Sequence, residues 1–300
     1  MEKVIVLMST YNGEKFVREQ IDSILAQTYK NIEILVRDDG SQDKTVEILK
    51  QYEKEHTIHL IEGENVGFIK SFFTLIQEAE EADYYAYSDQ DDIWFPNKIE
   101  RAISFIKQEN QQIPILYFAN YDYYNTNMEF TGHGAVHKKG PSFRNALVDC
   151  ITLGINSVMN QTTIKILKEH IPTKSCGHDW WTYMVCAGLG KVIYDKEVVL
   201  KYRRHDNNVS AGGMSFIRFQ LWRIKKFFVN GYFKNVKEQL REYETYYIQD
   251  LSQENKKLLQ LFTGKFSLIK WFKKVFYPKM FRQKWIDEVF LRIIFIIGKL

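Results

Sequence analysis

Four short apolar runs in the first 110 residues, each followed by a polar loop and a helix-length stretch, constrain this chain more than any other feature. Residues 4–8 (V-I-V-L-M), 32–36, 58–61 and 84–87 have the length and the β-branched or aromatic content of strands. Between them, Val17, Ile21, Ile24 and Thr28 recur on one helical face, and Val46, Leu49 and Tyr52 on another over residues 43–55, which Asp43 can cap. Residues 67–79 form a third such stretch, and Pro96 opens a fourth carrying Ile99, Ile103 and Ile106. This alternation predicts βαβ units and an α/β fold around a mainly parallel sheet. In open α/β sheets, ligands bind beyond the carboxyl ends of the strands. Three polar clusters stand there: Ser9-Thr10-Tyr11-Asn12, Asp38-Asp39-Gly40-Ser41, and Ser88-Asp89-Gln90-Asp91-Asp92.

The last cluster packs three carboxylates into four residues. Unneutralised they repel one another, so a hard, oxygen-seeking cation such as Mg²⁺ or Mn²⁺ is the natural occupant. A solvated acidic turn, with Asp92 capping the next helix, is the competing reading. Asp38 to Ser41 also reads as an ordinary turn, since Asp, Gly and Ser are turn formers, and Asp179 has the place of a helix N-cap. The stretch Tyr202-Arg203-Arg204-His205-Asp206-Asn207-Asn208 follows another apolar run and precedes Gly212-Gly213. Its cations and imidazole suit a diphosphate and a metal, or a basic surface turn.

Residues 115–205 read as mixed strands and short helices. The hydrophobic content of 45%, with 15% aromatic, supports a real core and excludes a disordered chain. Three cysteines, Cys150, Cys176 and Cys186, with no C-x-x-C pair suggest neither a disulfide framework nor a zinc knuckle, as in a reduced, cytoplasmic chain. The first apolar run is too short for a signal-peptide core. The apolar residues 289–300 contain Arg292 and Lys299 and fall well short of the roughly 20 residues of a spanning helix, so no membrane crossing is expected.

Charge is unevenly placed. From Met214 onward there are 18 Lys and Arg against 7 Asp and Glu, while the preceding residues hold 23 against 30. Residues 216–228 and 270–277 interleave these cations with large apolar groups. Such a tail fits an interfacial membrane helix, a nucleic-acid-binding helix, or a helical bundle packed on the preceding domain with its lysines in solvent.

V-I-V-L-M-S-T-Y-N-G at 4–13, V-R-D-D-G-S-Q-D-K-T at 36–45, E-N-V-G-F-I-K at 64–70 and D-Q-D-D at 89–92 together resemble family 2 glycosyltransferases of the GT-A fold. The resemblance covers roughly residues 1 to 210, and the ordered set is far more specific than any single motif. It implies an inverting, metal-dependent enzyme using a nucleotide-sugar donor. Thr10, Tyr11 and Asn12 would line the nucleobase pocket with Tyr11 stacking, Asp39 would accept a hydrogen bond from the base, and Lys70 would approach base or phosphates. Asp89, Gln90 and Arg204 would hold the donor, and Asp91, Asp92 and His205 the Mg²⁺ or Mn²⁺. Asp179 aligns with the catalytic base, with His178 replacing the family's usual Glu.

Trp180 and Trp181 would form an acceptor wall, one buried and one facing the cleft. The combination N-x-G-F, S-D-Q-D-D-I-W, H-D-W-W and Y-R-x-H-x-x-N is similar to rhamnosyltransferase-like members and implies dTDP-L-rhamnose as donor. The acceptor would be a lipid-linked saccharide of cell-surface polysaccharide synthesis, met at the inner face of the cell membrane, with no nucleic acid partner. The resulting organisation is a GT-A catalytic domain over 1–213 and a basic, aromatic, membrane-associating helical region over 214–300. A UDP-hexose donor and a catalytically inert sugar- or nucleotide-binding protein are the alternatives.

Overall fold

The computed structural model describes residues 1–205 and 231–300; the expected boundary at 213, residues 206–208 and the basic stretch 216–228 lie outside the described residues. The N-terminal alternation is present as β1 (Val4–Thr10), α1 (Val17–Leu25), β2 (Ile32–Asp38), α2 (Thr45–Lys54), β3 (His59–Glu62), α3 (Phe68–Glu78) and β4 (Tyr84–Ser88). β1 pairs in parallel with β2 and β4, and β2 with β3. Thr10 lies opposite Asp38 and Met8 opposite Ser88, so this register brings the three polar clusters out at one edge of the sheet.

The chain continues through β5 (Ile93–Trp94), α4 (Lys98–Ile106), β6 (Ile115–Tyr124), β7 (Phe130–His133), α5 (Phe143–Ala146), β8 (Ser157–Asn160), α6 (Gln161–Glu169), α7 (His178–Leu189) and β9 (Lys191–Arg203). The sheet runs β3-β2-β1-β4-β8-β6-β9-β5, with β7 paired to β6. β8 is antiparallel to both neighbours, so the sheet is mixed beyond its parallel N-terminal half. α1 ends before Thr28, which instead bonds the carbonyl of Pro96. α4 begins two residues after that proline, and β5 separates Asp92 from it, so Asp92 is not its cap.

Both faces of the sheet are covered, which is why its strands read as continuous apolar runs. Val4, Val6 and Met8 join one core with Ile21, Ile24 and Ile103, while Ile5 and Leu7 join the other with Phe72, Ile76 and Trp181. The described C-terminal helices, α8 (Tyr232–Tyr247), α9 (Gln253–Thr263), α10 (Leu268–Val275) and α11 (Trp285–Ile296), contribute to this second core through Leu240, Tyr243, Leu259 and Phe295. The Tyr243 hydroxyl donates to the Met184 carbonyl at 3.1 Å, tying α8 to α7. Arg292 of α11 donates to the carbonyls of Lys274 and Val275, satisfying acceptors that the end of α10 leaves open.

The outer sides of α10 and α11 are different. Leu268, Ile269, Phe272 and Phe276 on one, and Trp285, Ile286, Val289, Ile293 and Ile296 on the other, are exposed. Among the described residues no helix is long and apolar enough to cross a membrane.

Candidate active site

The ends of β1, β2 and β4 open into a cleft of 590 Å³ lined by Thr10, Tyr11, Asp39, Asp89, Gln90 and Asp91 and also by His178, Asp179 and Tyr202 from later in the chain. The strand ends are locked together first. Thr10 Oγ1 donates to Asp38 at 2.9 Å, and Asp38 also accepts from the backbone of Gly40 and Ser41, so Asp38 shapes the loop instead of facing the cleft. Asp39 accepts from Arg37 at 2.5 Å and from the N–H groups of Val66 and Gly67 at 2.9 and 2.8 Å. Gly67 has φ +83°, a left-handed conformation that glycine adopts without steric cost. A carboxylate has about four acceptor positions, so these three bonds leave Asp39 capacity for one more.

Gln90 clamps Tyr11, accepting from its N–H at 2.8 Å and donating to its carbonyl at 2.9 Å. A Cβ on Gly13 would fall 2.2 Å from Gln90 Oε1, so glycine is needed for this approach. The clamp leaves the Tyr11 side chain 44% exposed at the cleft mouth.

Oxygens of Asp89, Asp91 and Asp92 lie within 4.8 Å of one another. His205 comes from beyond β9 to place Nε2 2.7 Å from Asp91 Oδ2, its ring stacked on Phe16. Asp92 is fully buried; one oxygen accepts from the Arg203 N–H at 3.1 Å, and Oδ2 has no hydrogen-bond partner among the described residues. Burial and the neighbouring charges of Asp91 and Asp179 push Asp89 up to about 8, against the opposing charge of Lys98. Burial, then Asp91 and Asp89, raises Asp92 well above the carboxylate range. Three crowded acids, an orphaned buried carboxylate oxygen and an adjacent imidazole are a donor set that fits a divalent cation.

Two basic residues support this turn: Lys98, which the sequence did not single out, and Arg203, which was expected with its neighbours to face a diphosphate. Lys98 is buried with Nζ 2.6 Å from the Ile155 carbonyl and 3.2 Å from the centre of the Trp94 ring. Burial holds it well below its usual range, and the charges of Asp92 and Asp89 oppose that. Arg203 donates to the Asp91 carbonyl at 2.9 Å and pairs with Glu19, so it braces the turn and does not reach toward a ligand. The available signal for Lys98 was its place one residue before a buried Ile99; a lysine on an amphipathic helix otherwise reads as solvated.

In the same cleft, Asp179 occupies the first turn of α7 and accepts from the Trp180 N–H at 2.8 Å. Burial pushes its carboxyl up to about 6, with the Trp180 N–H opposing. A base with such a pKa is ionised at neutral pH yet still a competent proton acceptor.

Several expected contacts are absent from the cleft. Neither Trp180 nor Trp181 faces it, at 6% and 0% exposure. Trp180 Nε1 donates to the Ala146 carbonyl, and Trp181 packs on Tyr243 and Tyr247 of α8, so the C-terminal helices cover the face left for an acceptor wall. Asn12 is a strut between loops, accepting from the Gln42 N–H at 2.8 Å. Lys70 is exposed in a neighbouring groove with Thr74 and Gln77. Arg204 lies off the cleft, its guanidinium over the rings of Tyr123 and Tyr202.

Residues 5–169 match the family described as Glycosyl transferase family 2. The dTDP-rhamnosyl transferase RfbG of Shigella flexneri is 30% identical over 235 residues, covering 70% of this chain and 75% of that protein. Among solved structures, S. aureus TarS 1-349 in complex with UDP-GlcNAc superposes with a TM-score of 0.55 at 17% identity, over 86% of this chain and 78% of that one. The mannosyltransferase PcManGT from Pyrobaculum calidifontis in complex with GDP-Man and Mn²⁺ gives 0.55 at 17%, over 86% and 68%. Sequence match, sheet topology and strand-end cleft agree: the chain belongs to glycosyl transferase family 2 and has the GT-A fold.

Proposed function

We propose that this protein is an inverting, metal-dependent rhamnosyltransferase that moves L-rhamnose from dTDP-L-rhamnose to a lipid-linked saccharide in cell-surface polysaccharide synthesis. The observation that carries this reading is that one cleft holds both a cation-seeking acid cluster and, from α7, a further carboxylate, Asp179. The likeness to the rhamnosyl transferase RfbG supports the choice of donor.

In this reading the nucleobase packs on Tyr11, and Asp39 uses its remaining acceptor position for a base N–H. Asp91, Asp92 and His205, joined by Asp89, would hold Mg²⁺ or Mn²⁺, which when bound supplies positive charge beside the diphosphate. Asp179 takes the proton of the acceptor hydroxyl as that oxygen bonds to the anomeric carbon, and the bond to the nucleoside diphosphate breaks with its electron pair leaving on the phosphate oxygen. Inversion of a β-L-rhamnosyl donor gives an α linkage.

The acceptor's lipid places the reaction at the inner leaflet. The exposed apolar stripes of α10 and α11, flanked by exposed Lys265, Lys273, Lys279, Lys284 and Lys299, suit an anionic bilayer surface, with apolar groups below the headgroups and lysines among them. This peripheral attachment is the working organisation for residues 214–300.

A screen of nucleotide sugars with and without Mn²⁺ by thermal unfolding tests the donor. dTDP-L-rhamnose should raise the melting temperature in a cation-dependent way, because a ligand that binds only the native state stabilises it by about 2.7 kcal/mol at 100 times its Kd. Stabilisation by UDP-hexoses and none by dTDP-L-rhamnose would overturn the donor assignment.

A further inference from the structure

His178 has no task in the reaction as drawn, yet it lies in the cleft wall directly before Asp179 and is 4% exposed. Its ring lies nearly flat on Phe72, with centroids 3.8 Å apart, and meets Tyr87 edge-on at 4.8 Å and Phe68 at 6.3 Å. Carbon surfaces therefore fix the orientation of the ring, while neither ring nitrogen has a hydrogen-bond partner among the described residues. A buried polar group left this way is destabilising, so its retention in a cleft wall needs a reason.

Gly154 supplies a second observation. A Cβ there would lie 2.6 Å from Nε2, and Gly154 itself lines the cleft, so this buried nitrogen lies directly behind the cleft wall at a point where only glycine leaves room for it. Burial pushes the imidazole down to about 3, which leaves it neutral with one N–H donor and one acceptor nitrogen.

We infer that His178 reads a sugar hydroxyl, its imidazole hydrogen-bonding a hydroxyl of a saccharide held beside Asp179 and thereby setting which sugar the cleft accepts. A hydroxyl both donates and accepts and can therefore meet either nitrogen. The rings of Phe68 and Phe72 would flank the apolar C–H surface of the same sugar. The inference rests on the glycosyl-transfer reading, and the hydroxyl belongs either to the transferred sugar or to the acceptor.

His178→Leu removes both nitrogens, and His178→Gln restores a donor and an acceptor. Calorimetry with dTDP and with dTDP-L-rhamnose, in Mn²⁺, separates the two sources, together with acceptor KM. His178→Leu should bind dTDP within about twofold of wild type, which also reports an intact fold. It should then lose about tenfold in the affinity added by the rhamnosyl group, or raise acceptor KM about tenfold with donor affinity intact; His178→Gln should recover part of either loss. Wild-type values throughout for His178→Leu, or a parallel loss of dTDP affinity in both variants, would overturn the assignment alone. A wild-type protein that binds no nucleotide sugar would defeat the transfer reading and this assignment together.

Discussion

The cleft at the ends of β1, β2 and β4 and the outer side of α10 and α11 depart in opposite ways from what a folded domain needs. In the cleft, charge is crowded and partly buried: Asp92 is fully buried, and Asp89 is pushed up to about 8. On the helix pair the abnormality is apolar, with Phe272 57% and Trp285 68% exposed. Crowded buried carboxylates gain when a cation joins them, whereas exposed apolar stripes gain when water is removed from them. Each region therefore reports its own class of partner, and the two should be separable by mutation.

The sharpest way to break this comparison is Asp179→Asn. Transfer should fall by at least about 10²- to 10⁴-fold, the usual contribution of a general base, while donor affinity stays within a few fold and vesicle binding is unchanged. Asparagine can still accept the Trp180 N–H, so retained transfer in a folded variant would leave Asp179 only a structural part in the first turn of α7, which begins after Gly177, and not that of a base.

The converse experiment changes Phe272, Trp285 and Ile293 to Ser together. Their exposure means that the fold loses little, whereas removing residues 266–300 would also take Phe281, Leu291 and Phe295 out of the core. Flotation on anionic vesicles should weaken by about 10³-fold or more, on the scale of about 1.5 kcal/mol or more for each of the three large apolar side chains, with soluble donor hydrolysis preserved. Added salt should weaken the wild type's binding as well, and flotation indifferent to both changes would dissociate this face from membrane attachment.

Within the cleft, Asp91→Asn should reduce cation-dependent donor binding about 10- to 100-fold and leave the protein folded. Calorimetric titration with Mn²⁺ and dTDP decides it, and wild-type affinity in Asp91→Asn and Asp92→Asn alike would remove the metal-site assignment.

The smallest expected effect is on pH. Because the Asp179 carboxyl is raised to about 6, it is ionised above that value and protonated below it, so kcat/KM should drop about tenfold for each pH unit below 6. The profile should be measured in saturating Mn²⁺, since a bound cation lowers the pKa of the acids around it. Vesicle binding should show no matching step near pH 6.

Much of the cleft was legible because its residues sit at strand ends, where chain order alone fixes their neighbourhood. Residues 4–8 and 84–87 read as strands, and their pairing puts Tyr11 beside Gln90 and the acids at one edge. The meeting of Asp91 with His205, 114 positions apart, was expected only through family resemblance, because nothing local links them. Lys98 and Arg203 went unread as supports, since a cation's burial depends on what folds over it.

The sequence by itself determined the α/β alternation, the strand-end clusters and the family, because periodicity and turn chemistry act over a few residues. Only the tertiary structure decided which side of each polar or aromatic residue meets the cleft. Trp180 and Trp181 are buried because α8, more than 50 residues later, packs over α7, and His178 is held in the cleft wall against Phe72 and Tyr87 from two other elements. A helix position fixes a side chain's direction relative to its own axis, but burial is a relation between elements, and that relation exists only once the chain has closed on itself.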